Sequence, residues 1–439
     1  MNDFLNISIY RLAAFLVFIV CLLSLVDAAI PQFQLYLFRE IIVKQYVVKG
    51  ALLGAAALGY ALYPKTQAAG VPVGAWLLCI AYLLADMPYL HSAVGWSFSD
   101  VLLSYNAYYL LLLIGPALVA FREGVSERAI MRCTVFIFLI CAAFGIAQHV
   151  MDRPILYTES PDGSFSINSW DFFGSIRAFS LFTSSMNFGM FCALCGALAV
   201  SLYRKAPVKA AFLFIVSAVA CYTTLTRLCY LVFVCAASYA FVLTFGKKPG
   251  RGLWQPVLYF VLGMSTILAT LFSVAGGDTG NLQDTGSLFE RIGQWLFYVD
   301  LLLHSTRTQL LFGVGIVQNE SILPRYPMII DNLPLALILH IGIVGLVLFS
   351  ILLIKMWLYL RKEALATQQP FMIATASIFA SLACSGIFNI TFPTFGTVFA
   401  LAILCAKYRP VKRYGTRLER LEGKCGNSGS GVVPSLKGS

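Results

Sequence analysis

The chain is 439 residues long, 59% hydrophobic and only 12% charged, with a formal net charge of +11 and a mean hydropathy of +0.81. A surface of that composition is incompatible with water, so a soluble globular enzyme is excluded and a polytopic membrane protein is implied. The positive charge collects in short segments between apolar runs, which is a signature of membrane topology and not of nucleic-acid binding.

Runs able to cross roughly 30 Å of hydrocarbon occur in chain order near residues 10–30, 46–63, 73–90, 101–121, 130–150, 178–203, 208–225, 228–246, 255–274, 333–355, 371–388 and 394–408. They predict an all-α integral membrane domain over 1–408 with about twelve transmembrane helices, followed by a basic tail over 409–439 whose Gly/Ser-rich end reads as disordered. The first run has neither a basic start nor a small-residue cleavage site, so it reads as a retained helix. With the N-terminus in the cytoplasm, the inner loops hold Lys65, Arg122 and Arg128, Arg204 and Lys205, Lys247, Lys248 and Arg251, then Lys355, Arg361 and Lys362. Lys407, Arg409, Lys412, Arg413, Arg417 and Arg420 crowd after the last run, which keeps the tail inside and suits anionic membrane lipids.

Two larger segments then fall outside, near 151–177 and 275–332, the second between the ninth and tenth helices. Loops of that length usually carry function. The second contains an amphipathic stretch from Leu288 to Leu303, with Trp295, Phe297 and Tyr298 suited to an interface. Of the twelve cysteines only Cys425 lies in the tail, and the rest lie in or at the ends of apolar runs, so no disulfide framework is implied. Cys192 and Cys195 form a C-x-x-C inside an apolar helix, where packing is the expected role.

The outer arginines carry the chemical signal, because topology alone disfavours them there. Arg177 opens RAFSLFTSSMNFG, Arg227 stands in a very short turn between two apolar runs, and Arg291 follows Glu290 at the start of the amphipathic stretch. Arg307 and Arg325 share that loop. Guanidinium groups bind phosphate oxygens in pairs and stay charged, so such a cluster is a receptor for a phosphate or diphosphate headgroup. Plainer roles stand beside this one: Arg227 snorkelling to the interface, Arg177 anchoring a helix start, and Arg291 pairing with Glu290 or Asp284. Asp331, in the sequence Asp-Asn-Leu-Pro before the tenth run, suits an N-cap. His340 inside that run reads as packed, and His304 on the loop as a candidate base. Trp170, Phe172, Phe173 and Trp295 suit either an interfacial belt or stacking on sugar faces.

In combination these stretches resemble the O-antigen ligase and polymerase superfamily of integral membrane glycosyltransferases. Arg227 and Leu231 resemble its Arg-x-x-x-Leu element on a short external loop. The segment RAFSLFTSSMNFG, with Asn187 and Gly189, resembles its Arg-to-Asn-x-Gly helix entry, and the stretch from Arg291 through Trp295 ends in a matching Gly-x-Gly at Gly313 and Gly315. Asn332, Gly342 and Gly345 fall at the spacing of the family's His-Asn pattern followed by two glycines. The ligase pattern has His where this chain has Asp331, whereas polymerases of the superfamily often carry Asp-Asn, so the resemblance favours a polymerase.

The resemblance implies a GT-C-like membrane fold in the bacterial inner membrane with its site facing the periplasm. It implies undecaprenyl diphosphate-linked glycans as donor and acceptor, no cofactor, and a chain-length regulator protein as a partner. Arg227 and Arg291 would stabilise the leaving diphosphate, with Asp331 first and Glu290 second as base. Arg177, Asn187, Asn332, Arg307, Arg325 and Trp295 would bind substrate. The chain has no Asp-x-Asp on an outer segment and no His/carboxylate cluster at ligand spacing, in keeping with metal-independent transfer. The rival readings are a ligase that passes finished glycan to the lipid A core, and a polysaccharide transporter, which would be expected to carry ionisable residues deep in its bundle.

Overall fold

The computed structural model describes residues 72–95, 127–153, 175–182, 184–246, 254–259, 295–315, 332–386 and 392–405, together with isolated positions elsewhere. The apolar runs at 10–30, 46–63, 101–121 and 255–274 lie wholly or mostly outside these residues, as does the tail. The described chain is helical apart from one two-residue antiparallel ladder. In order it contains α1 (Val73–Tyr89), which runs into a π turn (Leu90–Val94), and α2 (Glu127–Met151). The ladder follows, with β1 (Asp171–Phe172) paired to β2 (Ser175–Ile176) and Asp171 opposite Ile176. Then come α3 (Ser185–Leu202), α4 (Pro207–Thr223) and α5 (Arg227–Phe245). Residues 295–303 form α6. The last elements are α7 (Arg307–Phe312), α8 (Leu333–Thr367), α9 (Pro370–Ser385) and α10 (Phe392–Cys405).

Among the described residues five helices are long and apolar enough to cross a membrane: Val73–Val94, Glu127–Met151, Ser185–Leu202, Arg227–Phe245 and Leu333–Thr367. The chain is therefore an α-helical membrane protein. Two boundaries differ from the sequence reading. The run at 178–203 becomes helical only at Ser185, because the residues before it are held in another conformation, and the tenth run continues as helix to Thr367.

The bundle is organised around α3, which is buried along most of its length and packs against α4, α5 and α9. Lipid chains are as apolar as leucine, so helices in a membrane associate through close contact more than through water exclusion. Small residues make that contact possible here. A Cβ added at Gly189 would lie 2.6 Å from the Cβ of Cys229, and one at Gly196 would lie 2.5 Å from Cε2 of Phe233, so both glycines set how closely α3 and α5 approach.

The starts of α3 and α5 meet, so these two helices run in parallel with α4 returning between them, and hydrogen bonds define two ends of the bundle. At one, the Glu127 carboxylate accepts from Phe371 N–H at 3.2 Å, Ser201 Oγ donates to the Pro370 carbonyl at 2.9 Å, and the Arg204 guanidinium lies 4.8 Å from the Phe245 ring centre. At the other, the end of α2, the start of α3, the α4–α5 turn, the start of α8 and the end of α9 converge. Leu333 N–H donates there to the Gly386 carbonyl at 2.8 Å.

Candidate active site

The converging end is built first by a largely buried, non-helical segment, residues 176–182, that enters the bundle ahead of α3. Away from water every backbone N–H and C=O in such a segment must find a partner inside the protein. Asp152, at the end of α2 with φ 48°, accepts Ile176 N–H on Oδ1 at 2.7 Å. Gln148, buried on α2, accepts Ser180 N–H on Oε1 at 2.7 Å and donates from Nε2 to the Ser180 carbonyl at 3.3 Å. Ser180 Oγ donates to the Cys141 carbonyl at 2.6 Å, and Ala178, Phe179, Leu181 and Phe182 are all buried around it. One amide side chain thus replaces both hydrogen bonds that a helix would have supplied to Ser180. Replacing Gln148 with Leu leaves two buried polar groups without those partners, and the variant is expected to lose roughly 2–4 kcal/mol of stability. Thermal unfolding in detergent measures this, and an unchanged melting temperature would show that the segment is held by other contacts.

This segment carries Arg177 to the α4–α5 turn. Ala178 N–H donates to the Thr223 carbonyl at 3.0 Å, which ties the residue after Arg177 to the turn before α5. The turn is tied by its own hydroxyls: Thr224 Oγ1 donates to the Cys221 carbonyl at 2.7 Å and Thr226 Oγ1 to the Thr224 carbonyl at 2.9 Å. Arg227 is the first residue of α5 and is exposed. Asn187 lies in the first turn of α3, its N–H donated to the capping Ser184 Oγ at 3.2 Å, and the hydroxyls of Ser185 and Thr226 are 3.2 Å apart. Arg177, Asn187 and Arg227 therefore belong to one end of the bundle.

The second half of the site is a backbone crossing between α7 and α8. Gly342 interrupts α8 with φ 70° and ψ −177°, which frees carbonyls just before it. Val314 N–H donates to the Leu339 carbonyl at 2.8 Å and Gly315 N–H to the His340 carbonyl at 3.2 Å. Neither surface has room for a side chain: a Cβ at Gly313 would lie 2.7 Å from Ile341 N, and one at Gly342 would collide with the Leu311 carbonyl. Gly313 and Gly315 also have positive φ, at 88° and 73°. The Gly-x-Gly and Gly342 of the sequence analysis are thus the two faces of one contact.

The start of α8 corrects one expectation. Its N-cap is Asn332, whose Oδ1 accepts Leu335 N–H at 3.0 Å, so the cap stands one residue beyond Asp331. Leu333 and Pro334 then occupy the first turn, where the missing proline N–H costs nothing. The tie to Gly386 brings Asn332 to the same end as Arg177 and Arg227. Trp295 is half-buried on α6 and packs with Tyr298, Leu335 and Leu339, which joins α6 to α8. Arg307 is exposed at the start of α7, behind a capping box made by Thr306 and Gln309. His304 is exposed and pairs locally with Asp300, while His340 is buried. Cys192 and Cys195 are buried in α3. Asp331, Glu290, Arg291 and Arg325 lie outside the described residues, as do Trp170, Phe173 and Asp284.

The sequence analysis did not single out Gln148 or Tyr82. Gln148 had a legible signal, a lone amide inside an apolar run, but its partner is set by the fold. No protein-family model matches the chain, and no curated protein matches it.

Proposed function

We propose that the chain is a glycosyltransferase that joins undecaprenyl diphosphate-linked oligosaccharide repeat units, a polymerase of O-antigen or another exopolysaccharide. The observation that carries this reading is the Ala178–Thr223 backbone bond, because it unites two separate arginine motifs at one end of an apolar bundle. A fork-shaped, permanently charged group suits a diphosphate whose negative charge grows as it departs.

In this reaction the acceptor hydroxyl oxygen bonds to the anomeric carbon of the donor sugar. The bond from that carbon to the diphosphate oxygen breaks, and the diphosphate leaves with the electron pair. Arg177 and Arg227 hold its oxygens, joined by Arg291, with Arg307 and Arg325 extending the cationic face. The hydroxyl proton passes to a carboxylate, Asp331 being first choice and Glu290 second. Asn187 and Asn332 are the hydrogen-bonding groups toward the sugars.

The arginine end is taken as the periplasmic face of the bacterial inner membrane, with both termini in the cytoplasm and about twelve spans. The positive-inside rule supports this orientation, since the opposite end gathers Arg128, Arg204, Lys205, Arg361 and Lys362. A transporter is less well supported, because the described arginines of this end sit at a rim, with Asp86 and His340 the ionisable side chains found buried within described spans.

The experiment is the glycan profile of a deletion strain complemented with wild-type or Asp331→Asn protein. Lone lipid-linked repeats or single repeats on the lipid A core in the deletion strain, restored to long chains by the wild type, are expected. Bare core beside long lipid-linked chains would contradict a polymerase and indicate a ligase. Asp331→Asn at equal abundance is expected to leave chains short, and a normal profile would remove Asp331 from the chemistry.

A further inference from the structure

In an unbroken helix the Ile341 carbonyl would accept from the Gly345 amide. Gly342 interrupts that pairing, and the Tyr82 hydroxyl of α1 takes its place, donating to the Ile341 carbonyl at 2.6 Å. The hydroxyl therefore engages a carbonyl that a continuous helix would use internally, and a side chain inserted in the ladder is one of the few ways to hold a helix bent.

The rest of this α1 face follows the same contact. Cys79 Sγ donates to the Leu348 carbonyl at 3.5 Å on the far side of the break, and the Tyr89 ring lies 5.7 Å from that of Phe312 on α7. Between Tyr82 and Tyr89 is Asp86, 3% exposed. An ionisable group inside a membrane helix is costly to keep, and such groups mark function more often than packing. The row from Cys79 to Tyr89 thus meets α8 on both sides of Gly342 and meets α7 where its glycine loop crosses. Further ties on 333–341 are made by the backbones of Val314, Gly315 and Gly386.

We propose that Tyr82 is a positioning residue of the site: its hydroxyl fixes the half-helix 333–341 against the rest of α8 and so sets where Asn332 stands at the arginine end. The part of this inference that concerns catalysis rests on the glycosyltransferase reading, whereas the part that concerns the break does not. Tyr82 touches no reacting atom and acts only through α8. Tyr82→Phe keeps the ring and its packing and removes one oxygen.

The test uses full-length wild-type and Tyr82→Phe protein in lipid nanodiscs. Amide hydrogen exchange at 314–315 and 342–345 is expected to be on the order of tenfold faster in the variant, with exchange in α3 and α5 unchanged as the check that the bundle is folded. Transfer from a lipid-linked repeat is expected to show kcat lowered by about tenfold at an unchanged KM for the donor, because Arg177 and Arg227, which bind it, are carried by the segment before α3 and by α5. Unchanged exchange at the break would overturn the inserted hydroxyl. Faster exchange with unchanged kcat, or a raised KM with normal kcat, would overturn the positioning role. If the wild-type protein transfers no sugar, the glycosyltransferase reading falls, while the exchange comparison still decides whether Tyr82 holds the break.

Discussion

Alanine at Arg177 or Arg227 is expected to lower polymer formation by at least about a hundredfold, the scale of losing one donor that faces developing charge. Both variants should remain in the membrane at normal abundance. The two arginines reach the same end by different routes, Arg177 on the buried segment pinned by Gln148 and Arg227 at the first position of α5. If both bind one diphosphate, the double variant should lose less than the product of the single losses, because the second removal acts on a site already broken. Lysine at either position keeps the charge and loses the paired contact, so it should restore part of the rate only. Product ladders measured at matched protein level decide this, and normal ladders from both alanine variants would remove the arginines from the reaction.

Gly342→Ala is the change expected to cost the fold most. At φ 70° and ψ −177° the residue occupies a region open almost only to glycine, and the new Cβ would collide with the Leu311 carbonyl while lying 2.5 Å from Phe312 N. Strain and overpacking together amount to roughly 2–5 kcal/mol. Gly313→Ala presses on the same contact from the other side, toward Ile341 N at 2.7 Å, so the two substitutions should combine non-additively. Thermal unfolding of the detergent-solubilised variants provides the measurement. A Gly342→Ala protein with native stability would contradict the broken helix.

The long apolar helices were legible because a span of hydrocarbon demands an unbroken apolar run, and the sequence around α2, α3 and α5 supplies one. The same logic fails where tertiary contacts override it. Residues 178–184 read as the start of a helix, since Ala178, Phe179, Leu181 and Phe182 continue the apolar pattern, and what unwinds them is an amide on α2. Hydropathy likewise runs straight through Gly342, so the spacing of glycines gave the right residues without the break or the hydroxyl that fills it. At the start of α8 both Asp331 and Asn332 are good capping types, and composition alone does not choose between neighbours. That Arg177 and Arg227 stand at one end of the bundle was legible from the apolar runs that flank them. The reach of Arg177 to the Arg227 turn was not, since it depends on a backbone bond between segments distant in sequence.

The most direct test is to place the purified wild-type protein in lipid vesicles with a single radiolabelled undecaprenyl diphosphate-linked repeat and no other acceptor. A polymerase yields a ladder of lipid-linked oligomers and releases one undecaprenyl diphosphate for each new glycosidic bond. Repeats recovered unchanged, moved across the bilayer without bond formation, or transferred only after lipid A core is added, would contradict the account.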